Sequence, residues 1–404
     1  MLLTLIYRSH MSDQLHLSSL NSFISLANIK NSLSEITGIL LFDGTHFIQL
    51  LEGPELAVDS LFKVISQDNR HHNVVELMRD FAPERRFGRV GMEIFDLREL
   101  HDDTVIQAIL DRGTSKFQRD YDDRALQFLY SFVQARENKN YFDIPPSSAW
   151  TFLSDPSEKP EWHNTGSDTR EYNFAFQPII DPLSRKIVSF EASLRSADGG
   201  PAMRYYSQLS RMTIYQADLK SKKLAFSLAA RMGIEETPLV IKLLPMTLVL
   251  VPDAVDFLLQ EIINNGLVPE QVIVAITENG AITREKEFAA AIKQLKSAGM
   301  KLAIDDFGAG SAGLLLLTQI QPDKLMIDRN IIYDVHKSGA KQAIVQSIIS
   351  FCISLKISVI ATGVSQVEEW MWLEAAGILH FQGELFSAPR MNGEPPIQWP
   401  EKTA

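Results

Sequence analysis

The N-terminal quarter of the chain alternates apolar and polar residues in a way that predicts a small sandwich of strands and helices. Leu3, Leu5 and Tyr7 fall on one face of a first strand, because side chains alternate across a β-strand. A helical apolar stripe follows, starting near Leu20. The remaining elements predicted here are strands at 36–42 and 46–51, a helix ending at Ile65, and strands near 73–81 and 90–95. The order β-α-β-β-α-β-β indicates a ferredoxin-like α+β fold with one extra strand.

The middle of the chain changes character twice. Residues 104–136 predict two amphipathic helices, the second with Asp122 as its N-cap. We expect these helices either to cover the open face of the sheet or to pair between subunits. Residues 137–170 are polar and rich in proline, which indicates a linker.

The C-terminal half repeats short apolar strands separated by longer helical patterns. The predicted strands are 174–180, 187–193, 239–243, 272–276, 301–304, 324–327, 358–361 and one near His380. About eight strands alternating with helices predict an α/β TIM-like barrel. The predicted domains are therefore a sandwich at 1–95, helices and linker at 96–170, and a barrel at 171–400.

Composition narrows the functional classes. The net charge of −11 argues against direct binding of nucleic acid, which requires basic surfaces. The single cysteine, Cys352, excludes an intrachain disulfide and fits a reducing compartment. No segment reaches the ~18–20 apolar residues of a membrane span. We therefore expect a cytoplasmic protein that does not bind membranes.

Two polar residues stand on apolar strand faces in the N-terminal part. Tyr7 shares its face with Leu3 and Leu5, and Gln49 shares its face with Phe47 and Leu51. A buried amide needs hydrogen-bond partners. Periodicity alone leaves two interpretations open: a half-buried tyrosine with a glutamine that satisfies neighbouring backbone, or a polar pair that serves a ligand.

The motifs around these residues resemble the BLUF family of blue-light sensors that use FAD. They are Tyr7-Arg8-Ser9, Asn31, Thr37-Gly38-Ile39-Leu40, Phe47 to Gly53, Asp68, Arg70-His71 and Met92. The resemblance implies a bound FAD, with FMN and riboflavin as alternatives. It implies the photoactive residues Tyr7, Gln49 and Met92, and the flavin contacts Asn31, Phe23, Ile24, Ile65, Asp68 and Arg70. Val90 stands where the family often has tryptophan, so the route of the signal to the surface stays open.

The residue types suit that chemistry. A phenol can give an electron and a proton to an excited flavin. An amide has donor and acceptor groups, so its rotation or tautomerisation presents a different hydrogen bond to the flavin. We expect the altered Gln49 to act on Met92 and then on the strand that follows.

The C-terminal half resembles the EAL family of cyclic di-GMP phosphodiesterases. The matching motifs are Gln177-Pro178-Ile179, Glu191-Ala192-Ser193-Leu194-Arg195, the run from Asp305 to Gly310, and Gln382-Gly383. Active members need a cage of oxygen ligands for two metal ions. Three acids of that cage remain, Glu191, Asp305 and Asp306, whereas other expected positions hold Lys242, Ala275, Met326 and Thr362. The resemblance therefore implies a barrel that binds no metal and does not catalyse, with Lys242 paired to the remaining acids.

A non-catalytic barrel behind a light sensor is expected to act by binding a partner. The combination resembles the BLUF–EAL antirepressors, which implies a MerR-like DNA-binding repressor as partner and a homodimeric receptor. Two alternatives stay open: a light-activated phosphodiesterase, and a cyclic di-GMP receptor without turnover. In the second, Gln177, Arg195 and Gln382 remain candidate contacts for the dinucleotide. We expect no cyclic di-GMP binding, however, because Glu384 would place an acidic group near the phosphates.

Overall fold

The computed structural model describes residues 2–12, 20–82, 85, 91–99, 102–111, 123–135, 140–154, 171–210, 213–234, 236–278, 284–310, 313–391 and 393–403. The chain forms two compact units. The first consists of Met1–Ile144 together with Asp334–Ile344, and the second of Pro145–Tyr333 together with Val345–Ala404. No helix in the described ranges is both long and apolar enough to cross a membrane.

The first unit is the predicted α+β sandwich. Its elements are β1 (Leu2–Met11), α1 (Leu20–Leu33), β2 (Thr37–Phe42), β3 (His46–Pro54), α2 (Glu55–Ile65), β4 (His71–Ala82), β5 (Glu93–Asp96), α3 (Asp102–Asp111) and α4 (Arg124–Val133). The sheet has the order β4-β1-β3-β2-β5. Because β2 and β5 pair in parallel, the fifth strand adds an edge to the ferredoxin-like core, as the sequence predicted.

The two faces of this sheet have different coverings. Leu3, Leu5 and Tyr7 pack with α2 on one face, and the alternate residue Ile6 packs with α3 and α4 on the other. The two amphipathic helices therefore cover the open face, one of the two expected arrangements. The helix α4 is capped by Asp123, whose carboxylate accepts the Leu126 N–H, and not by Asp122, which lies outside the described residues.

Residues Asp334–Ile344 complete the first unit. Ser338 forms a parallel bridge with Glu76 of β4. The buried Arg8 guanidinium donates to Gln342 Oε1 at 2.8 Å. It also lies 4.1 Å from the centre of the Tyr141 ring. The residue that follows Tyr7 in β1 is thus held firmly on the opposite face of the sheet.

The second unit contains the predicted barrel. Its strands are β6 (Trp150–Ser154), β7 (Tyr172–Asp181), β8 (Lys186–Ser196), β9 (Leu239–Leu243), β10 (Val272–Thr277), β11 (Lys301–Phe307), β12 (Lys324–Ile327), β13 (Ser358–Ala361), β14 (His380–Phe381), β15 (Arg390–Met391) and β16 (Gln398–Lys402). The helices from Ala202 onward are α5 (Ala202–Tyr206), α6 (Ile214–Arg231), α7 (Thr247–Leu250), α8 (Ala254–Asn264), α9 (Glu285–Ser297), α10 (Gly313–Ile320), α11 (Arg329–Ile332), α12 (Gly339–Leu355) and α13 (Val367–Ala375).

Eight strands, β7 to β14, close into a barrel through the pairing of β14 with β7. The strand β7 runs antiparallel to both neighbours, whereas β8 to β14 run parallel to one another. An apolar cluster that includes Val240, Ile273 and Ile360 packs together from several of these strands. The carboxyl ends of the parallel strands therefore bring their polar residues to one mouth.

One element was missed in the segment predicted as a linker. Residues Trp150–Ser154 form β6, which pairs antiparallel with the C-terminal strand β16. Trp150 packs edge-on against the buried Trp370, with ring centres 4.8 Å apart. This aromatic contact and the pairing with β16 hold β6 within the second unit.

Candidate flavin site and barrel mouth

Tyr7, Gln49 and Met92 form a buried chain of contacts in the first unit. Tyr7 lies directly opposite Gln49 in the β1–β3 ladder, so both side chains stand on the same face. The Tyr7 hydroxyl donates to Gln49 Oε1 at 2.5 Å. The other end of the amide, Nε2, donates to Met92 Sδ at 3.2 Å. The structure thus brings together the three residues expected to be photoactive.

A cavity opens beside this chain. Its lining includes the expected residues Tyr7, Asn31, Gln49, Ile65, Asp68, Arg70 and Met92. Phe23 and Ile24 belong to α1, but their side chains lie outside the described part of the chain.

The residues around the cavity fit a flavin. Leu40, Phe47 and Leu61 add apolar wall, which suits the flat ring system. Gln49 Nε2 carries two hydrogens, and its one partner among the described residues is the weak acceptor Met92 Sδ. Asn31 uses one Nδ2 hydrogen on the Gly91 carbonyl, at 3.1 Å. Both amides therefore retain donor capacity for a ligand that offers carbonyl and ring-nitrogen acceptors.

Burial sets the protonation of the groups near the cavity. Burial, helped by the charge of Asp68, raises the pKa of Tyr7 far above its usual value. The phenol therefore holds its proton at neutral pH and can donate it to Gln49. Arg70 binds the Asp68 carboxylate, and this bond lowers the pKa of Asp68. The rim of the cavity thus carries a charged pair whose guanidinium suits a phosphate.

Two contacts at this site were missed by the sequence reasoning. Asn28 Oδ1 accepts the main-chain N–H of Met92 at 3.3 Å. His71 Nδ1 lies 2.9 Å from Ser9 Oγ, and both residues line the cavity. The spacing of Asn28 and Asn31, three residues apart on a helix, was the available signal, because such residues share a face.

The barrel mouth holds an ion-pair cluster. Lys242 Nζ lies 2.7 Å from Asp305 Oδ2 and 3.3 Å from Glu191 Oε1. Ser193 Oγ donates to Glu191 Oε1 at 2.6 Å, and Gln382 Nε2 donates to Glu191 Oε2 at 3.2 Å. Both carboxylate oxygens of Glu191 are therefore bound by donors of this chain.

Charge and burial oppose each other in this cluster. Burial would raise the pKa of Glu191, but the Lys242 ammonium and the hydrogen bonds from Ser193 and Gln382 lower it. For Asp305 burial prevails over Lys242 and raises the pKa to about 6. For Lys242, burial is outweighed by Glu191 and Asp305, which raise the pKa of the ammonium. One cation therefore compensates two buried acids incompletely.

Ala275, Met326 and Thr362 are all buried in the barrel. Ala275 and Met326 are fully buried in the apolar cluster that contains Val240, Ile273 and Ile360. Thr362 donates its hydroxyl to the Ile327 carbonyl at 2.6 Å. Among the residues that the structure describes, no group of three or more His, Cys, Asp or Glu side chains has the arrangement of a metal site.

Two of the three candidate dinucleotide contacts are engaged within the protein. Gln177 Nε2 donates to the Ser387 carbonyl at 2.9 Å, and Gln382 donates to Glu191. Arg195 lines a separate cavity at the barrel mouth, together with Tyr206 and Lys242. A ligand at this mouth would have to displace bonds that the chain already makes.

Comparison with known proteins agrees with both halves of the structure. Residues 2–93 match the family described as sensors of blue light using FAD, and residues 163–389 match the EAL domain. The chain is 54% identical, over the whole of both proteins, to the blue light- and temperature-regulated antirepressor BluF of Escherichia coli K12.

Solved structures give the same result. The chain covers all of Klebsiella pneumoniae BlrP1 in its manganese and cyclic di-GMP complex at pH 6, with a TM-score of 0.92 and 41% identity. A second BlrP1 structure, with FMN and cyclic di-GMP and without metal ions, matches with a TM-score of 0.86. The chain therefore belongs to the EAL family and carries, at its N-terminal end, a flavin-binding BLUF domain.

Proposed function

We propose that this protein is a blue-light photoreceptor whose EAL domain does not catalyse but binds a MerR-like DNA-binding repressor in a light-dependent way. The observation that carries the proposal is the Lys242 ammonium, within 2.7 and 3.3 Å of the two buried acids of the barrel mouth. The full-length similarity to a blue-light antirepressor supports it.

Light detection is assigned to Tyr7 and Gln49. A bound flavin supplies the absorption of blue light and the redox chemistry. Tyr7 holds its proton on the phenolic oxygen, 2.5 Å from Gln49 Oε1. Reorganisation of the Gln49 amide exchanges its acceptor for a donor, so the bonds to Tyr7 and to Met92 cannot both persist.

The output is assigned to Met92 and the strand that follows it. Met92 Sδ receives the Gln49 Nε2–H in the arrangement described above. Loss of this donor removes one of the contacts that hold Met92 under α1. Since β5 begins at the next residue and forms the edge of the sheet, a shift of Met92 acts directly on β5.

The absence of catalysis follows from electrostatics. Two divalent ions need several oxygen ligands in one place. Lys242 puts a cation between Glu191 and Asp305, where it repels a metal. Ala275 offers no oxygen ligand and is fully buried, and the Thr362 hydroxyl is bound to the Ile327 carbonyl. A metal would have to displace the ammonium and would still lack the two carboxylates expected at these positions.

The partner is proposed from homology and charge. The net charge of −11 favours encounter with a basic protein such as a transcription factor, because complementary charge raises association rates. A homodimeric receptor would match the two-fold symmetry of a dimeric repressor. Neither point identifies the repressor by itself.

The test is light-dependent binding of the candidate repressor by the flavin-loaded receptor. Size-exclusion chromatography in blue light and in darkness should give co-elution in one state only. The Tyr7→Phe variant, with flavin bound, should give the same elution in both conditions. Equal binding of the wild-type receptor in darkness and light would contradict the proposal.

A cyclic di-GMP receptor or phosphodiesterase is the second candidate. It is favoured by the BlrP1 complexes, which contain this dinucleotide, and by Arg195 at the cavity of the barrel mouth. Incubation with cyclic di-GMP and Mg²⁺ or Mn²⁺, in darkness and light, should yield no linear product. Product in either state would overturn the non-catalytic assignment, and binding abolished by Arg195→Ala without product would favour the receptor.

A further inference from the structure

Two asparagine amides of α1 hold the main chain just before β5. Asn31 Nδ2 donates to the Gly91 carbonyl at 3.1 Å, and Asn28 Oδ1 accepts the Met92 N–H at 3.3 Å. The two asparagines are one helical turn apart and so face the same way. Between them they engage the carbonyl of one residue and the N–H of the next.

Gly91 permits this close approach. A Cβ at this position would lie 2.3 Å from the Asn28 carbonyl oxygen, 2.6 Å from Ser32 Oγ and 2.8 Å from Asn28 Oδ1. No side chain fits without movement of the helix or of the segment, because two of these atoms belong to Asn28 itself. The backbone at 91 therefore lies directly against α1.

Met92 is consequently held at two points by two different residues. Its sulfur receives the Gln49 Nε2–H at 3.2 Å, and its main-chain N–H is bound to Asn28. The strand that begins at Glu93 pairs with β2 on one side only. The register of this edge strand is therefore sensitive to what holds Met92.

We propose that Asn28 is a positioning residue of the light response, which keeps the Met92 backbone against α1 while Gln49 changes its bond to the Met92 sulfur. The inference rests on the proposed photoactive role of Tyr7, Gln49 and Met92. When the sulfur loses its donor, the Asn28 bond remains and returns the segment to its starting position. Asn28 does not touch the Tyr7–Gln49 bond and so does not create the signal.

The variant Asn28→Ala tests this role in the full-length, flavin-loaded protein. The light-induced red shift of the flavin absorption should keep its amplitude, since Tyr7 and Gln49 are intact. Recovery in darkness should slow by about 2- to 13-fold, the range that corresponds to the loss of one neutral hydrogen bond. Asn28→Asp keeps an acceptor oxygen at the same place and should restore most of the rate.

A control and a direct probe separate positioning from a general effect on the helix. Lys30→Ala changes an exposed residue of the same helix and should recover at the wild-type rate. In the wild-type protein, the Met92 amide should stay protected from hydrogen exchange in light and darkness, and lose protection in Asn28→Ala. The direct probe on the wild-type protein needs no variant, so it serves even where Asn28→Ala does not fold.

Several results would overturn the inference. These are wild-type or faster recovery in Asn28→Ala, slowing that Asn28→Asp does not reverse, and a Met92 amide that exchanges freely in wild-type darkness. A failure of the underlying function looks different. In that case the wild-type protein has no reversible red shift, or Tyr7→Phe retains it, and the role of Asn28 in the light response falls with the proposed function.

Discussion

Removal of the Lys242 ammonium should destabilise the barrel because it leaves two buried acids facing each other. We choose Lys242→Met, which keeps the length of the side chain and removes the charge. The Glu191 and Asp305 side chains are 5% and 1% exposed, whereas that of Lys242 is 37% exposed. Water therefore already screens part of the ion pair.

The magnitude follows from this exposure. Loss of one partner of a fully buried ion pair costs about 3–5 kcal/mol, and the exposed third of Lys242 reduces our expectation to about 2–3 kcal/mol. For a unit of this size, each kcal/mol lowers the Tm by about 2–4 °C, so a decrease of about 4–12 °C is expected. Thermal unfolding followed by circular dichroism measures it.

The stability loss in Lys242→Met should also depend on pH, in a direction that the pKa shifts predict. Without Lys242 the folded-state pKa values of Glu191 and Asp305 rise. An acid whose pKa is higher in the folded state than in the unfolded state binds its proton more tightly when the protein is folded. The free energy of unfolding therefore falls as the pH rises towards the folded-state pKa. The deficit of Lys242→Met should therefore be largest near pH 8 and shrink towards pH 5.

A matched control is available in the same unit. Lys223 Nζ lies 3.3 Å from Glu261 Oε1, but the Lys223 side chain is 68% exposed. Lys223→Met should change the unfolding free energy by less than about 0.5 kcal/mol. Equal Tm values for Lys242→Met and the wild type across this pH range would refute the reasoning that the ammonium neutralises the buried acids.

Three further predictions concern other parts of the molecule. Gly91→Ala should destabilise the sensor unit by about 1–3 kcal/mol, because the added Cβ would lie 2.3 Å from the Asn28 carbonyl oxygen. The temperature of flavin release measures this loss, and an unchanged release temperature would contradict it. Asp305→Asn should flatten the pH dependence of the unfolding free energy between about pH 4 and 6. The wild type loses stability in this range because the pKa of Asp305 is raised to about 6 in the folded state. An unchanged pH profile in urea titrations would count against this prediction. Asp218→Asn should lower the free energy of urea unfolding by about 3–5 kcal/mol, because Lys222 loses its charged partner where both side chains are at most 2% exposed. A loss below about 1 kcal/mol would contradict a stabilising role for this ion pair.

The order of the elements could be predicted because each depends on local periodicity. The predicted strand 239–243 has the same bounds as β9, and the second amphipathic helix predicted within 104–136 is α4. The strand β6 was missed because its partner is β16, more than two hundred residues away. Proline content describes the local chain and carries no information on such a partner.

For the candidate site too, the sequence predicted which residues take part, and the structure was needed to show which of them meet. Strand parity alone placed Tyr7 and Gln49 on apolar faces, and their direct opposition needed the β1–β3 register. The motifs predicted substituted ligand positions in the barrel and a pairing of Lys242 with the remaining acids, and the structure contains that pairing. Which acids it binds, Glu191 and Asp305, depends on how β8, β9 and β11 close the barrel.

The sequence by itself determined most of the strands and helices, the face on which Tyr7 and Gln49 stand, and the acids and amides present at the strand ends. These follow from residue type and spacing along a few neighbouring positions. Only the tertiary structure decided that Asn28 binds the Met92 backbone and that Lys242 compensates Asp305 incompletely. Both depend on distances between distant parts of the chain and on burial, which are set by the packing of the whole unit.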